Sequence, residues 1–561
     1  MSVAVRWQRT LRRVPRGVSR SLYCGEDAAW RLQAGRGILA ELEEVATGPA
    51  REHWAAELRG PYIDWLAELG VERDSFDWWS SPLAAKNVYA HLFSRIVSLA
   101  AALDLLEDGV LAVGSTPALA AELAEAARSR GFDVRGGPGR NLRRPAYMAA
   151  WRVGQAVLRE GWPRDAPGSA TTLLATWIDE RSFGSDGAYR DPHFGPLPEM
   201  LRERGEEVAF LARPLPGTRG RGLAGRLAGS DATFLLPGAY LSAADRREAR
   251  ARAFSFDPQI APDATVGPVP VARLARELVA QERINHAEAL SYGALMRNIA
   301  AAGARFERVI VPWEGHAWET ALIAAARDHL PGCRAIGYDN VNFSTLALSL
   351  YPGEAELAVR PLPDRVVTNG ETFARVLREQ GFPPERIQVG CALRHEYIHR
   401  VEARAGAQGF VLAAGSIDAA QTIELVDKAH AAFGDELVVK LHPAVDDAHV
   451  RQALPAEVNY ADRPLDELLR EARTMLYTYS VVAYEALAAG VPPIFVRSET
   501  LLDLDQLEPT PDLRLAARTV DELREADRAA GSFGPEWTAH ASKAVRDALG
   551  PVSAGCVDAF L

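Results

Sequence analysis

Beyond Asp364 the sequence switches between short β-type runs and helical runs of about 10–15 residues, with little chain left over. Val366–Thr368, Ile387–Val389, Gly409–Ala413, Leu437–Leu441, Val458–Tyr460, Thr474–Thr478 and Pro493–Val496 read as strands. Glu371–Gln380, Ala419–Phe433, Leu465–Arg473 and Val481–Ala489 read as the helices between them. Such alternation restricts the fold to parallel sheets with right-handed crossovers. A looser form of the rhythm comes first, with strands at Val110–Val113, Thr171–Trp177, Val208–Leu211, Thr233–Leu236, Arg308–Trp313 and Ala335–Tyr338. A single long helix is expected from Val269 to Ala302, since Tyr292, Leu295, Met296 and Ile299 make one apolar face. His316–His329 reads as another helix.

The expected fold class is therefore α/β: two Rossmann-like domains facing a cleft, with an additional helical N-terminal region. The boundaries read as a helical region 1–105, an acceptor-side Rossmann-like domain 106–350, a nucleotide-binding Rossmann-like domain 364–530 and a C-terminal helix 531–561. Tyr351-Pro-Gly-Glu…Pro361-Leu-Pro363 is the expected linker. At 561 residues the chain is long enough for two or three such cores.

The net charge of −11 argues against a dedicated nucleic-acid binder. Cys24, Cys333, Cys391 and Cys556 have no metal-ligand spacing, so they read as buried small hydrophobes in a reducing, cytoplasmic compartment. No metal site is expected. No apolar run approaches the roughly 20 residues of a spanning helix, and no signal-peptide pattern follows the N-terminus. Arg6, Arg9, Arg12, Arg13, Arg16 and Arg20 crowd the first twenty residues without a single acid. That segment reads as a solvated, frayed leader, or as a peripheral contact with an anionic inner membrane.

Three constellations carry chemistry. In Val311-Pro-Trp-Glu314-Gly315-His316-Ala-Trp-Glu319 a strand gives way to a helix. Glu314, flanked by Trp313 and Trp318, is expected to have a raised pKa and to act as a general base toward a sugar hydroxyl, with His316 beside it. Glu319 fits the first turn of the helix equally well. In Lys440-Leu-His442-Pro443 the proline stops a strand and leaves His442 at the sheet edge, able to donate to a phosphate. In Thr478-Tyr-Ser480, Ser480 is the natural N-cap of a helix whose amides would hold a phosphate, and Glu485 further along would reach ribose hydroxyls. Gly415-Ser416 is a weaker phosphate-loop candidate, and Arg394 and His395 are further positive donors.

A Glu-Gly in the first half, a His-Pro in the second and a Ser-led helix after it resemble the motif set of two-domain, GT-B type bacterial glycosyltransferases. Within that set the chain is most similar to enzymes using CMP-activated donors, the sialyl-, polysialyl- and Kdo-transferases. Phe76-Asp-Trp-Trp-Ser-Ser, Pro312-Trp-Glu-Gly-His-Ala-Trp-Glu and Gly337-Tyr338 look like a bacterial surface-carbohydrate-biosynthesis family. The resemblance covers about residues 70–500. It implies Glu314 as base and His442 and Ser480 as contacts of the CMP phosphate. The sequence departs from the pattern after Gly337-Tyr338, where Asp339-Asn340-Val341-Asn342 replaces an expected Gln-His-Ser, and in having one serine at Tyr479-Ser480.

The expected activity is transfer of a sugar, of the Kdo or nonulosonic-acid kind, from a CMP donor to a glycan or lipid-linked acceptor. No cofactor beyond the donor is expected. Polyol-phosphate transfer from a CDP donor, nucleotide-sugar epimerisation and a non-catalytic role in a polysaccharide assembly complex are the alternatives.

Overall fold

The computed structural model describes residues 2–87, 92–137, 165–179, 182–184, 186–214, 220–339, 344–403 and 409–561. Three parallel sheets organise it. The first has the order β3-β2-β4-β1-β5, built from β1 (Ser2–Trp7), β2 (Arg20–Cys24), β3 (Glu43–Glu44), β4 (Val110–Gly114) and β5 (Asp133–Gly137). The second has the order β14-β13-β12-β11-β6-β7-β8. Its strands are β6 (Thr172–Ile178), β7 (Val208–Pro214), β8 (Thr233–Leu235), β11 (Arg308–Pro312), β12 (Arg334–Tyr338), β13 (Arg365–Thr368) and β14 (Ile387–Val389). Between β8 and β11, β9 (Thr265–Val266) and β10 (Val269–Pro270) form a small antiparallel ladder. The third sheet, order β16-β15-β17-β18-β19, comprises β15 (Val411–Ala414), β16 (Leu437–Lys440), β17 (Thr474–Tyr477), β18 (Pro493–Val496) and β19 (Leu515–Ala517).

The second and third sheets are the two expected Rossmann-like domains. Three expectations about their surroundings are corrected. The N-terminal region is not purely helical and its leader is not frayed: β1 is an interior strand, paired with β4 on one side and β5 on the other. Val3, Val5 and Trp7 are buried in the same core as Leu173 and Val309 of the central sheet. The arginines that made this segment look like a tail fall mostly beyond the strand, and Arg6 turns its guanidinium back onto the carbonyls of Val5 and Arg135.

The boundary between the Rossmann-like domains is also later than expected. The 351–363 segment lies within the central domain, because β13 and β14 continue its sheet; the crossing to the third sheet comes between β14 and β15. The long helix is two, Ala272–Gln281 and Arg283–Ala301, meeting at Glu282.

The fourth finding concerns the cysteines. Cys391 and Cys556 form a disulfide, while Cys24 and Cys333 are free and buried. Their pairing was invisible in the sequence because 165 residues separate them. After the helix Pro535–Ala548 the chain returns to the central domain: Gly550 donates its N–H to Asn369 (2.8 Å) and accepts from Ala392 (2.9 Å). Val557 and Phe560 then pack with Tyr338 and Ile310. The N-terminal unit grips the C-terminal domain as well. The Glu499 carboxylate accepts the amides of Thr47 and Gly48, which open the helix Gly48–Glu72, and Arg518 donates to Glu52 at 3.0 Å. Among the described residues no helix is long and apolar enough to cross a membrane.

Candidate functional site

In an open parallel sheet, ligands bind beyond the carboxyl ends of the strands where the strand order reverses. The central sheet reverses between β6 and β11, since β7 and β8 build outward from one and β12 to β14 from the other. The third sheet reverses between β15 and β17, with β16 on one side and β18 and β19 on the other. The residues following these four strands include Asp179, Glu314, Gly415 and Thr478.

At the first reversal Glu314 stands two residues beyond the end of β11. Gly315 turns the chain with φ +74°, and an added Cβ would lie 2.2 Å from the Ser349 carbonyl oxygen, so the glycine serves a close backbone approach within the domain. Ser349 Oγ donates to the Glu314 carbonyl at 2.6 Å. His316 precedes the helix Ala317–His329, and the Glu319 carboxylate accepts the amides of both Glu314 (2.9 Å) and His316 (3.1 Å). Glu319 thus holds the loop in shape, the role its first-turn position suggested.

Two side chains clamp the His316 ring. The Asn87 side-chain amide lies 3.0 Å from Nδ1, and Nε2 donates to Glu314 Oε2 at 3.2 Å. The expected raised pKa of Glu314 is not found. Burial pushes the carboxyl up, but the hydrogen bond and charge of His316, with His193 and Arg394 beyond, overcome it and hold Glu314 below the usual range. Burial works against a charged His316, yet Glu319 and Glu314 together leave its pKa raised. The elevated carboxyl is Glu319: burial lifts it to about 7 against the opposing pull of His316.

Sequence reasoning missed two neighbours of this group. His193 stands on the loop after β6, positioned by the Asp191 carboxylate, which accepts the amides of His193 and Phe194 at 2.8 Å each. Burial lowers its pKa, and it senses Glu314, Asp179 and Arg394. Its place after the Thr171–Trp177 run was the available signal. Arg213, at the end of β7, is buried 3.9 Å and 4.0 Å from the ring centroids of Trp177 and Trp318, pairs with Glu288, and opposes protonation of His316. Nothing in the sequence marked that stack, which joins three elements.

Arg394 and His395 lie where the chain passes from the central to the C-terminal domain. Arg394 is exposed, and its charge reaches both Glu314 in the one domain and Glu485 in the other. His395 is 4% exposed, and among the described residues neither ring nitrogen has a hydrogen-bond partner. Burial, reinforced by Arg394, drops its pKa to about 3, so the imidazole is neutral. Glu485 accepts from Tyr397 Oη at 2.8 Å, and burial raises its pKa.

In the third sheet His442 lies outside the second reversal, beyond the edge strand β16, while Thr478 follows β17 at the reversal itself. His442 follows β16, half-buried, with its Nδ1 accepting the Ala444 amide at 3.1 Å, which leaves the proton on Nε2. Lys440 is half-buried at the strand end and Pro443 is exposed. Thr478 is buried and its hydroxyl has no partner among the described residues. Ser480 is not the N-cap: the helix Val482–Ala489 is capped at Val481, and Ser480 Oγ takes only the Val482 amide at 3.4 Å. The hydroxyl stands one residue too early for the cap because the turn after Tyr479 uses Val481 in helical geometry. Gly415 and Ser416 do not form an open phosphate loop. The Gly415 amide goes to the Lys440 carbonyl (2.9 Å) and the Ser416 amide to Thr422 Oγ1 (3.0 Å), while the fully buried Ser416 hydroxyl bonds to Gln421 (3.0 Å).

The structure therefore brings Glu314, His316, His193 and Arg394 together, with Glu485 at the edge of the group, and sets Thr478 and Ser480 at the second reversal, with His442 outside it beyond β16. Of the departing segment, Asp339 is buried, whereas Asn340, Val341 and Asn342 lie outside the described residues. Among the described residues, no group of three or more His, Cys, Asp or Glu side chains could hold a metal ion.

No protein-family model matches this sequence, and no curated protein matches it. Solved structures do resemble its chain path. CalG4, the calicheamicin glycosyltransferase, is 15% identical, with 70% of this chain and 98% of that one covered and a TM-score of 0.40. The glycosyltransferase SnogD from Streptomyces nogalater is 15% identical, with coverages of 70% and 99% and a TM-score of 0.39. UDP-GlcNAc 2-epimerase from Neisseria meningitidis, bound to UDP-GlcNAc, is 11% identical, with 69% and 97% covered and a TM-score of 0.36. Likeness at this level carries no argument about activity, and the fold described here rests on the strand orders themselves.

Proposed function

We propose that this protein is a nucleotide-sugar-dependent glycosyltransferase. The observation that carries the reading is the pairing of two strand-order reversals: an ionised carboxylate beside a histidine at one, and the buried Thr478 hydroxyl at the other, with His442 on the same carboxyl edge beyond β16. An acceptor and a donor have to meet across such a pair of edges.

In this reading Glu314, kept ionised by His316, takes the proton of the acceptor hydroxyl. Its low pKa makes it a modest base, so placement against the hydroxyl supplies the advantage. His442 Nε2–H and Thr478 Oγ1 donate to the phosphate of the donor, and Arg394 offsets the charge that develops as the nucleotide leaves. Ser480, which has no strong internal bond, is free to add a third donor. Glu485 and Tyr397 stand ready for ribose hydroxyls.

The proposed donor is a CMP-activated sugar of the Kdo or nonulosonic-acid kind, and the acceptor a surface glycan or a lipid-linked precursor. The motif resemblance supports this choice. A cytoplasmic site of action goes with the use of an activated nucleotide donor, although the paired Cys391 and Cys556 remove the earlier argument from unpaired thiols.

A thermal-shift panel of CMP, CDP, UMP, UDP and GDP tests the donor. A ligand of the native state stabilises as RT ln(1 + [L]/Kd). CMP is expected to raise Tm most. A clear shift with UDP or GDP and none with either cytidine nucleotide overturns the donor assignment.

A further inference from the structure

The N-terminal unit contains a cavity of about 230 Å³ between the helix Ala28–Arg36 and one face of its sheet. Its apolar lining includes Tyr23, Trp30, Leu32, Leu39, Leu42 and Val113, and Ser21, Arg31, Arg36 and Glu44 also face it. Well-packed interiors leave few voids larger than a water molecule, and apolar voids of this size stay dry and accept apolar guests. The charged groups in its lining are already engaged: Arg31 pairs with Glu44 and Arg36 with Asp427.

The arginine-rich segment lies on the same small core. Leu11, Val14 and Val18 pack into one apolar cluster with Tyr23, Leu39, Val113, Trp30 and Leu42. With its apolar residues turned inward, the segment leaves Arg9, Arg12, Arg13 and Arg16 exposed. None of the four has an acidic partner among the described residues; Arg9 alone leans on a ring, that of Trp7, at 6.0 Å. The nearest acid along the chain is Glu26.

We propose that this unit is a membrane-docking module that takes one acyl chain of an anionic phospholipid into the cavity while Arg12, Arg13 and Arg16 hold headgroup phosphates. The two parts belong together physically. A single buried chain gives only marginal, reversible membrane binding, and a basic patch alone is screened by salt, whereas a chain plus a basic patch anchors stably. The proposal does not depend on the sugar-transfer reading.

The test uses the full chain in flotation with phosphatidylcholine vesicles, with and without phosphatidylglycerol. Binding is expected only to the anionic vesicles. Arg12→Glu/Arg13→Glu/Arg16→Glu is expected to weaken partitioning by roughly 100-fold or more. Leu42→Trp, which fills the cavity and leaves every charge in place, is expected to weaken it at least about tenfold. Wild-type partitioning by Leu42→Trp, or equal binding to neutral vesicles, overturns the proposal. Tight binding of monomeric farnesyl phosphate without vesicle binding overturns it in favour of a soluble lipid phosphate. If Leu42→Trp does not fold, vesicles with brominated acyl chains decide: quenching present in wild type and reduced in Trp30→Phe is expected, and identical quenching in the two refutes chain entry.

Discussion

His316 places its protonated Nε2 3.2 Å from Glu314 Oε2 while its other ring nitrogen is held by Asn87. The carboxylate is thereby oriented and kept ionised at a strand-order reversal, while burial raises Glu319, on the same loop, to about 7. Three titratable groups within six residues are driven to different protonation states, the pattern by which acid–base roles are separated at active sites.

Replacing Glu314 with Gln keeps the size and a hydrogen-bond acceptor for His316. Transfer is expected to fall by about 10²–10⁴-fold, with CMP-induced thermal shifts retained. A steady-state transfer assay beside the shift panel checks this; wild-type turnover would remove Glu314 from the chemistry.

The same pair predicts a pH window. His316 is raised above its ordinary 6.5, so its stabilising contribution is complete below that value and fades as pH rises through the folded-state pKa. Glu314 is lowered from 4.5, so its contribution is complete above that value and fades as pH falls through the folded-state pKa. Both are at full strength between about pH 4.5 and 6.5. The Tm difference between wild type and Glu314→Gln is expected to peak there and to shrink above the window. A difference that grows above pH 8 contradicts the pairing.

Glu319 has the opposite sign for a carboxyl. Its folded pKa is raised to about 7, so the native state binds the extra proton and stability is lost as pH climbs from 4.5 toward 7. Gln at this position still accepts the amides of Glu314 and His316. Denaturant titrations should show Glu319→Gln losing less stability than wild type over that range, by up to about 3 kcal/mol. Parallel pH profiles would show that Glu319 titrates normally.

Gly315→Ala is expected to destabilise by several kcal/mol, since a positive φ costs about 1–2 kcal/mol and the Cβ meets the Ser349 carbonyl backbone, which has no flexible end to move aside. Chemical denaturation measures it; a loss under about 1 kcal/mol would mean the loop relaxes freely.

Cys391–Cys556 closes a loop of 165 residues, for which chain entropy gives about 5 kcal/mol as an upper value. Cys556→Ser, or reduction, is expected to lower Tm markedly and to loosen the returning C-terminal segment first, read by hydrogen exchange at Gly550 and Ala392. Unchanged exchange there would show that the packing of Val557 and Phe560 suffices.

Much of the architecture was legible in the chain. Period and turn residues marked nearly every strand of the second and third sheets, because short β runs buried on both faces need continuous apolar residues. The position of Glu314 at the end of β11 and of His442 beyond β16 followed from the same reading. Of the N-terminal sheet only the strand at Val110–Val113 was legible, and it was assigned to the central domain; Ser2–Trp7 carries its pattern in one short run beside a row of arginines. The domain boundary was not legible, since the prolines of 351–363 mark a loop inside one sheet as readily as a linker between two.

By itself, then, the sequence determined which segments are strands and helices and which residues stand at strand ends, because those depend on local periodicity. Only the tertiary structure decided which strand ends are neighbours, that Glu314 is held below and Glu319 raised above the usual carboxyl range, that Ser416 is sealed in hydrogen bonds and that Cys391 meets Cys556. Protonation and pairing depend on charges and surfaces brought from distant parts of the chain, His193, Arg394 and Asn87 among them, and no local pattern encodes who those neighbours will be.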